Sequence, residues 1–305
     1  MRYAIPIPQS VDDGAFDPAA LSDYLDRAEA LGFESAWTQE QVLGTIPHLA
    51  PIELLAYAAA GNRRLRLGCS VFVTPLRNPV HLAKSLATLD QLSRGRLEVG
   101  IGTGGRNRPF GAFEVDPGTV VARFTEGLEV MRALWSQDRV DHDGRFWHLT
   151  GAAMEPKPFQ KPGPPVWFGG SAPTAVRRAA RLADGFFGAG STTTAAFAEQ
   201  VAVLRDELGR QGRDADAFPL AKRVYIAVDD DPARARDRLA DSLVRLYGEF
   251  GRGLLPVVVS GTPDDCVGGL REVAATGVQL IQVNPLFDQR EQMERLAAEV
   301  LPHVA

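Results

Sequence analysis

Residues 65–102 read LRLGCSVFVTPLRNPVHLAKSLATLDQLSRGRLEVGIG and decide the fold. Leu65–Thr74 is a short apolar run, which predicts a buried strand. Pro79–Ser93 is amphipathic at helical spacing and starts with proline, and Arg96–Gly102 is a further buried strand. A strand, a helix and a strand in direct succession predict a parallel sheet.

The same alternation continues in both directions along the chain. Further strands are predicted at Tyr3–Pro8, Glu34–Thr38, Val166–Phe168, Gly185–Ala189, Arg223–Val228 and Val278–Val283. Further helices are predicted at Pro18–Leu31, Pro51–Gly61, Thr119–Ser136, from Pro173, and at Ala196–Gln211, Pro232–Phe250, Pro263–Thr276 and Gln289–His303. Eight strands with intervening helices over 305 residues favour an α/β fold of the (β/α)8 TIM-barrel type over a doubly wound sheet.

Three segments depart from the alternation. Gly104–Gly118 is rich in Gly, Pro and Arg and predicts an insertion over the C-terminal face of the barrel, Val140–Leu149 predicts a hairpin around Asp143-Gly144, and Pro256–Ser260 suggests a short extra strand. Neither a linker nor a repeat divides the chain. We therefore expect one domain over residues 1–305.

Composition excludes several classes of function. Hydrophobic residues make up 45% of the chain and the formal net charge is −5, which argues against a nucleic-acid-binding surface. Pairs such as Arg177-Arg178 are interpreted as solvated helix faces. No apolar run is long enough for a signal peptide or a membrane span, the two cysteines cannot form a disulfide framework, and the five histidines lack metal-ligand spacing. We expect a cytoplasmic protein with no metal.

In such a barrel the active site lies at the carboxyl ends of the strands. After the fifth strand, residues 169–174 read GGSAPT, with two glycines that allow close approach of a ligand and a helix start that can bind an anion. The alternatives are a phosphate site and an ordinary tight turn. After the fourth strand, residues 100–108 read GIGTGGRNR, which is either a phosphate-binding loop without a complete fingerprint or a surface linker.

One carboxylate follows the second strand. In the sequence Trp37-Thr38-Gln39-Glu40-Gln41, Glu40 stands just past the strand end, where a general acid or base would act. A solvated loop residue is the alternative interpretation. His48, on the following loop, is a second candidate for proton transfer.

An ordered set of short motifs carries a family resemblance. They are Leu65–Gly68, Pro75–Pro79, Ala83-Lys84, Ala87–Asp90, Ser93–Arg96, Gly100–Gly104, Leu134-Trp135, Asp143–Phe146, Pro156–Pro158, Gln160–Pro162, Pro164–Trp167, Gly169-Gly170, Arg177–Arg181 and Ala183–Gly185. Together they resemble the bacterial luciferase-like monooxygenases and the deazaflavin (coenzyme F420)-dependent reductases of that superfamily. The likeness is dense over about residues 1–190 and loose beyond them.

The resemblance implies a set of cofactor-binding residues. A non-proline cis peptide would fall at Ser70-Val71, behind the ring of the cofactor. The loop after the fourth strand would face the ring and tail of the cofactor through Gly102, Thr103, Gly104 and Asn107. The cofactor phosphate would be held by Gly169, Gly170, Ser171 and Thr174.

The sequence also departs from the family. Many relatives have a carboxylate and a histidine after the second strand, where this chain has Glu40-Gln41. Some deazaflavin-dependent dehydrogenases have a glutamate at the position of Gly105. Lys222 is the only lysine beyond residue 161, so we do not expect a sugar-phosphate substrate.

Three hypotheses of function follow. The first is hydride transfer between coenzyme F420 and a small organic substrate, favoured because Gly68–Pro79 aligns without gaps to those reductases. The second is an FMN-dependent monooxygenase, in which reduced flavin activates oxygen. The third is a barrel that binds flavin without turnover. Glu40 is the expected catalytic residue, and we expect a homodimer.

Overall fold

The computed structural model describes residues 1–10, 15–105 and 110–304. Its strands, in chain order, are β1 (Arg2–Pro6), β2 (Ser35–Thr38), β3 (Arg66–Val73), β4 (Leu97–Gly102), β5 (Val140–Asp143), β6 (His148–Ala152), β7 (Val166–Gly169), β8 (Gly185–Gly188), β9 (Leu220–Val228), β10 (Val259–Gly261) and β11 (Leu280–Asn284). Its α-helices are α1 (Pro18–Ala30), α2 (Pro51–Gly61), α3 (Pro79–Ser93), α4 (Val120–Ser136), α5 (Pro173–Leu182), α6 (Thr194–Arg210), α7 (Pro232–Tyr247), α8 (Glu249–Arg252), α9 (Pro263–Ala274) and α10 (Gln289–Arg295).

Eight parallel strands close into a barrel. The order around it is β1, β2, β3, β4, β7, β8, β9 and β11, and β11 pairs with both β9 and β1, which completes the ring. Strand β10 adds to the edge of β9 outside the ring, and β5 and β6 form a separate antiparallel hairpin. The predicted (β/α)8 TIM barrel is confirmed.

Two helices end earlier than the sequence pattern predicts. The helix predicted over Pro232–Phe250 stops at Tyr247, because Gly248 has φ of 59° and ψ of −142° and turns the chain before the short helix α8. The helix predicted over Gln289–His303 keeps α-helical geometry only to Arg295. It then widens into a π turn and ends in a 3-10 turn that contains Pro302, which has no N–H to donate.

Proline and capping residues set where the helices begin. Helix α1 starts at a proline and is capped by the carboxylate of Asp17, which accepts from the backbone N–H of Ala19. Helix α3 repeats the arrangement, with the side chain of Asn78 accepting from the backbone N–H of Val80. These caps satisfy donors that the first helical turn leaves free, so each crossover begins at a defined residue.

Aromatic rings fill the inside of the barrel. Trp37, Trp167 and Phe187 are almost fully buried there, with the ring centroids of Trp37 and Phe187 4.8 Å apart and those of Trp37 and Trp167 6.3 Å apart. Glycines on neighbouring strands provide the room: a Cβ atom would come within 2.5 Å of the Trp37 ring at Gly68 and of the Trp167 ring at Gly185.

We expect Gly68→Ala to destabilise the fold. The added methyl group overlaps the Trp37 ring, and overpacking of this kind costs about 1–3 kcal/mol. The urea midpoint should fall accordingly. The matched control is Gly209→Ala on α6, where a Cβ atom meets nothing within 4 Å and alanine favours the helix. Equal midpoints for the two variants would contradict the packing argument.

Candidate active site at the carboxyl ends of the strands

A cavity of about 650 Å³ opens where the barrel strands end. It brings together most of the residues expected to bind the cofactor, namely Ser70, Val71, Gly102, Thr103, Gly104, Gly169, Gly170 and Ser171. Thr174 is not part of the lining; Ala175, one residue later, lies there instead. Asn107 lies outside the described residues.

Strand β3 shapes the middle of this cavity. The peptide bond Ser70-Val71 is cis, as predicted. The Val71 side chain lies against two glycines of the neighbouring strands, because a Cβ atom would come 2.7 Å from it at Gly102 and 3.0 Å from it at Gly169. A side chain at position 102 would therefore overlap Val71, and one at position 169 would press tightly against it.

The turn after β7 has the features of an anion site. Helix α5 begins at Pro173, and its N-cap, Ala172, has no side chain that could accept a hydrogen bond from the first helical turn. The start of the helix is thus open to an external acceptor. Arg178, on the same helix, also lines the cavity and is half-buried. The interpretation of Arg177-Arg178 as a purely solvated face is wrong for Arg178, because its side chain turns toward the cavity.

Glu40 lies at the edge of the cavity and is held in place there. Its side chain is 1% exposed and forms an ion pair with Arg77. One carboxylate oxygen accepts from the backbone N–H of Val73 at 2.5 Å, and the other accepts from Nε of Arg77 at 2.8 Å. These bonds join the end of β2 to the end of β3, so Glu40 has a structural role in addition to any part in catalysis.

A second chamber, of about 770 Å³, adjoins the first. The two share a wall made of Gln39, Glu40, Gly105, Tyr247 and Phe250. The rest of the second chamber combines apolar side chains with polar groups and is lined by Pro6, Ile7, Gln9, Ser10, Gln41, Leu43, His48, Arg245, Leu246, Asn284, Leu286, Phe287, Asp288 and Gln289.

His48 is a second titratable side chain that lines the second chamber and could transfer a proton. Its Nδ1 lies 2.9 Å from Oγ of Ser10, and its Nε2 is shielded from solvent without a hydrogen-bond partner among the described residues. Burial lowers the pKa of the imidazole below its ordinary value. A neutral imidazole with one free nitrogen can exchange a proton with a bound molecule.

Two adjacent cations on β9 differ in their surroundings. Lys222 is buried on the outer side of the strand, where its Nζ donates to the backbone carbonyls of Ala189 and Thr192 at 2.7 and 2.8 Å. Arg223 lines the cavity. The sequence pattern marks neither as a site residue, because Lys222 is an isolated lysine in it and the position of Arg223 inside the barrel depends on how the ring closes.

The model of the luciferase-like monooxygenase family matches residues 1–280 of the chain. The phthiodiolone/phenolphthiodiolone dimycocerosates ketoreductase of Mycobacterium sp. (strain JLS) is 32% identical over 235 residues, which are 73% of this chain and 61% of that protein. The chain thus spans less than two thirds of the length of this relative. The F420-dependent glucose-6-phosphate dehydrogenase of Intrasporangium calvum is 28% identical over 94% of this chain and 95% of that protein.

Solved structures agree with this assignment. A monooxygenase of Streptomyces bottropensis has a TM-score of 0.85 at 26% identity, with both chains fully covered. An F420-dependent secondary alcohol dehydrogenase has a TM-score of 0.87 at 17% identity, covering 100% of this chain and 99% of that one, which shows the shared fold.

The barrel and its glycine-lined cavity thus belong to an oxidoreductase. The chain is a member of the luciferase-like monooxygenase family, and the resemblance drawn from its motifs is confirmed. Membership makes it an enzyme, so the hypothesis of a barrel without turnover is set aside. In the described ranges, every helix is too short or too polar to cross a bilayer.

Lys222 gives the stability of the protein a specific pH dependence. Burial lowers the pKa of its amine from 10.5 to about 7. Between pH 7 and pH 9 the unfolded chain keeps a proton that the folded chain releases, so the free energy of unfolding rises with pH, by at most about 1.4 kcal/mol per pH unit. We expect this rise to be smaller in Lys222→Met, as measured by urea unfolding at several pH values. Identical pH profiles would contradict the assignment.

Proposed function

We propose that the protein transfers hydride between coenzyme F420 and a small organic substrate. The observation that carries the proposal is the cavity itself, in which Val71, Gly102 and Gly169 form a cradle that larger residues would fill. The F420-dependent relatives support it, because one of them matches nearly the whole chain. When bound, the deazaflavin would supply the hydride chemistry, and the protein would orient the reactants and exclude water.

The residues present fit such a cofactor. The cradle would hold the ring, with Ser70 and Thr103 on its polar side and Gly104 at the start of the loop beyond it. The cofactor phosphate would lie at the turn formed by Gly169, Gly170 and Ser171, near Arg178, which supplies a cation that the sequence pattern did not reveal. We retain Asn107 and Thr174 as proposed contacts of the cofactor tail and phosphate.

An FMN-dependent monooxygenase is the second candidate function. It is favoured by the monooxygenase of Streptomyces bottropensis, which is 26% identical over the full length of both chains. It is also favoured by Gly105, which lines the wall between the chambers where a glutamate would stand in some F420-dependent dehydrogenases. Both functions would use the same cavity, with a small-molecule substrate bound where that cavity meets the second chamber.

Titration of the purified apoprotein separates the two candidates. We expect F420 to bind more tightly than FMN, with both titrations followed by cofactor fluorescence. Tight binding of FMN alone would replace the first function with the second. Light scattering during size-exclusion chromatography of the same sample tests the proposed homodimer.

Gly170→Asp should weaken cofactor binding. The new carboxylate would repel the cofactor phosphate, since charge-assisted contacts of phosphate are strong in a partly buried turn. Gly170→Asn is the matched control, because a Cβ atom at this position meets Cβ of Ala175 at 2.9 Å in either variant and only the charge differs. We expect a dissociation constant about tenfold higher or more for Asp than for Asn. Equal affinities would place the phosphate elsewhere.

Glu40→Gln tests the proposed acid or base. A general acid or base contributes about 100- to 10,000-fold to turnover, so kcat should fall by that order while cofactor affinity changes little. The amide still offers an oxygen to the backbone N–H of Val73. Arg77→Met is the control, because it removes the ion pair and keeps the carboxylate. If both variants lose the same activity, Glu40 only positions the strand ends, and His48→Asn becomes the next variant to measure.

A further inference from the structure

Arg223 is a half-buried cation that faces the inside of the barrel. It is two residues after Ala221, which packs in the interior cluster with Trp37 and Phe187. Since side chains alternate along a strand, Arg223 points to the same side as Ala221. Its guanidinium then lies above the aromatic rings and lines the cavity of about 650 Å³.

The guanidinium lacks the partners that a buried charge requires. Within the described ranges, its Nε and Nη1 are shielded from solvent and have no hydrogen-bond partner. Its near neighbours are two tyrosines. The centroid of the Tyr225 ring lies 5.5 Å from Cζ of Arg223, and the hydroxyl of Tyr225 donates to the hydroxyl of Tyr247 at 2.9 Å. Buried charges in proteins are normally paired, because an unpaired one loses its hydration without compensation.

Two amide donors lie at the same end of the barrel. Gln282 is the register partner of Arg223 on the neighbouring strand, and Asn284 is the register partner of Tyr225. Nε2 of Gln282 and Nδ2 of Asn284 are buried without a partner in the described part of the chain. Gln282 is fixed from the other side, since its Oε1 accepts from Oγ of Ser70 at 3.3 Å.

Lys222 shows that the fold can satisfy the hydrogen bonds of a buried nitrogen on this strand. It is the residue next to Arg223, and its amine donates to two backbone carbonyls at 2.7 and 2.8 Å. The free donors of Arg223 are therefore a feature of the cavity and not of β9 in general. A cluster of buried donors around a positive charge suits an anionic oxygen acceptor.

We propose that Arg223, together with Gln282 beside it and Asn284 on the side of the second chamber, forms an oxyanion subsite that binds a carboxylate of the substrate. The proposal rests on the proposed function and narrows its substrate class to organic acids or their salts. An oxygen of the cofactor ring is the other acceptor that the same donors could bind.

The first arm of the test is the stability of the apoprotein. Arg223→Met replaces an unpaired, half-buried charge with an apolar chain of similar length, so the melting temperature should rise or stay unchanged. Lys222→Met, the matched control, removes an amine whose hydrogen bonds are made, so at pH 9, where the folded protein holds that amine uncharged, its melting temperature should fall. A clear loss of stability in Arg223→Met would show a structural role and overturn the subsite.

The second arm measures binding of size-matched probes to the apoprotein by calorimetry. Acetate and benzoate should bind to the wild type more tightly than acetamide and benzamide, and Arg223→Met should lose about 10- to 100-fold in carboxylate affinity. The affinities of Arg223→Met for F420 and FMN should stay within about threefold of the wild-type values. Loss of one strong contact to the cofactor would change them by about tenfold. None of these measurements needs turnover, so a failure of the proposed function can be told apart from a failure of the carboxylate subsite.

Two results would overturn the assignment to substrate. Equal binding of carboxylates and amides, or no binding of either, would remove the anionic subsite. Loss of F420 or FMN affinity in Arg223→Met, with carboxylate binding to the apoprotein unchanged, would show that these donors bind the cofactor ring and not the substrate.

Discussion

The packing of aromatic rings inside the barrel is the constraint on which the cavity depends. Trp37, Trp167 and Phe187 close the interior below the carboxyl ends of the strands, and they fit only because Gly68 and Gly185 have no side chains. The polar groups at their level are hydrogen-bonded to the rings, since Nε1 of Trp37 donates to Oγ of Ser35 and Nε1 of Trp167 donates to the carboxylate of Glu98. The rings and these partners therefore form a closely packed base below the cavity.

Much of the fold is present in local sequence signals. The alternation of apolar strands with amphipathic helices predicts the barrel, and proline and capping residues predict where helices such as α1 and α3 begin. The ends of α7 and α10 are harder to predict from the sequence. Glycine is tolerated inside helices, so Gly248 does not reveal from sequence that its φ is positive, and the end of α10 depends on how the last turns pack.

The candidate site is predictable where it is built from backbone and unpredictable where it is built from side chains. Glycines at positions 102, 169 and 170 stand out by residue type, because few other residues allow such close approach. Arg178 and Arg223 look like any other arginine in an arginine-rich chain, and only closure of the ring and the phase of α5 bring them into the cavity. The pairing of Glu40 with Arg77 likewise depends on the adjacency of β2 and β3.

The wall between the two chambers separates the residues that shape the first chamber from the residues that line only the second. Leu43, Leu246 and Phe287 line only the second chamber, whereas Val71 and the glycines around it line only the first. Substitutions in the first group leave the glycine cradle intact, because none of those side chains touches it. Under the proposed function, an evolving lineage or a directed-evolution library would change the substrates that reach the second chamber without rebuilding the first.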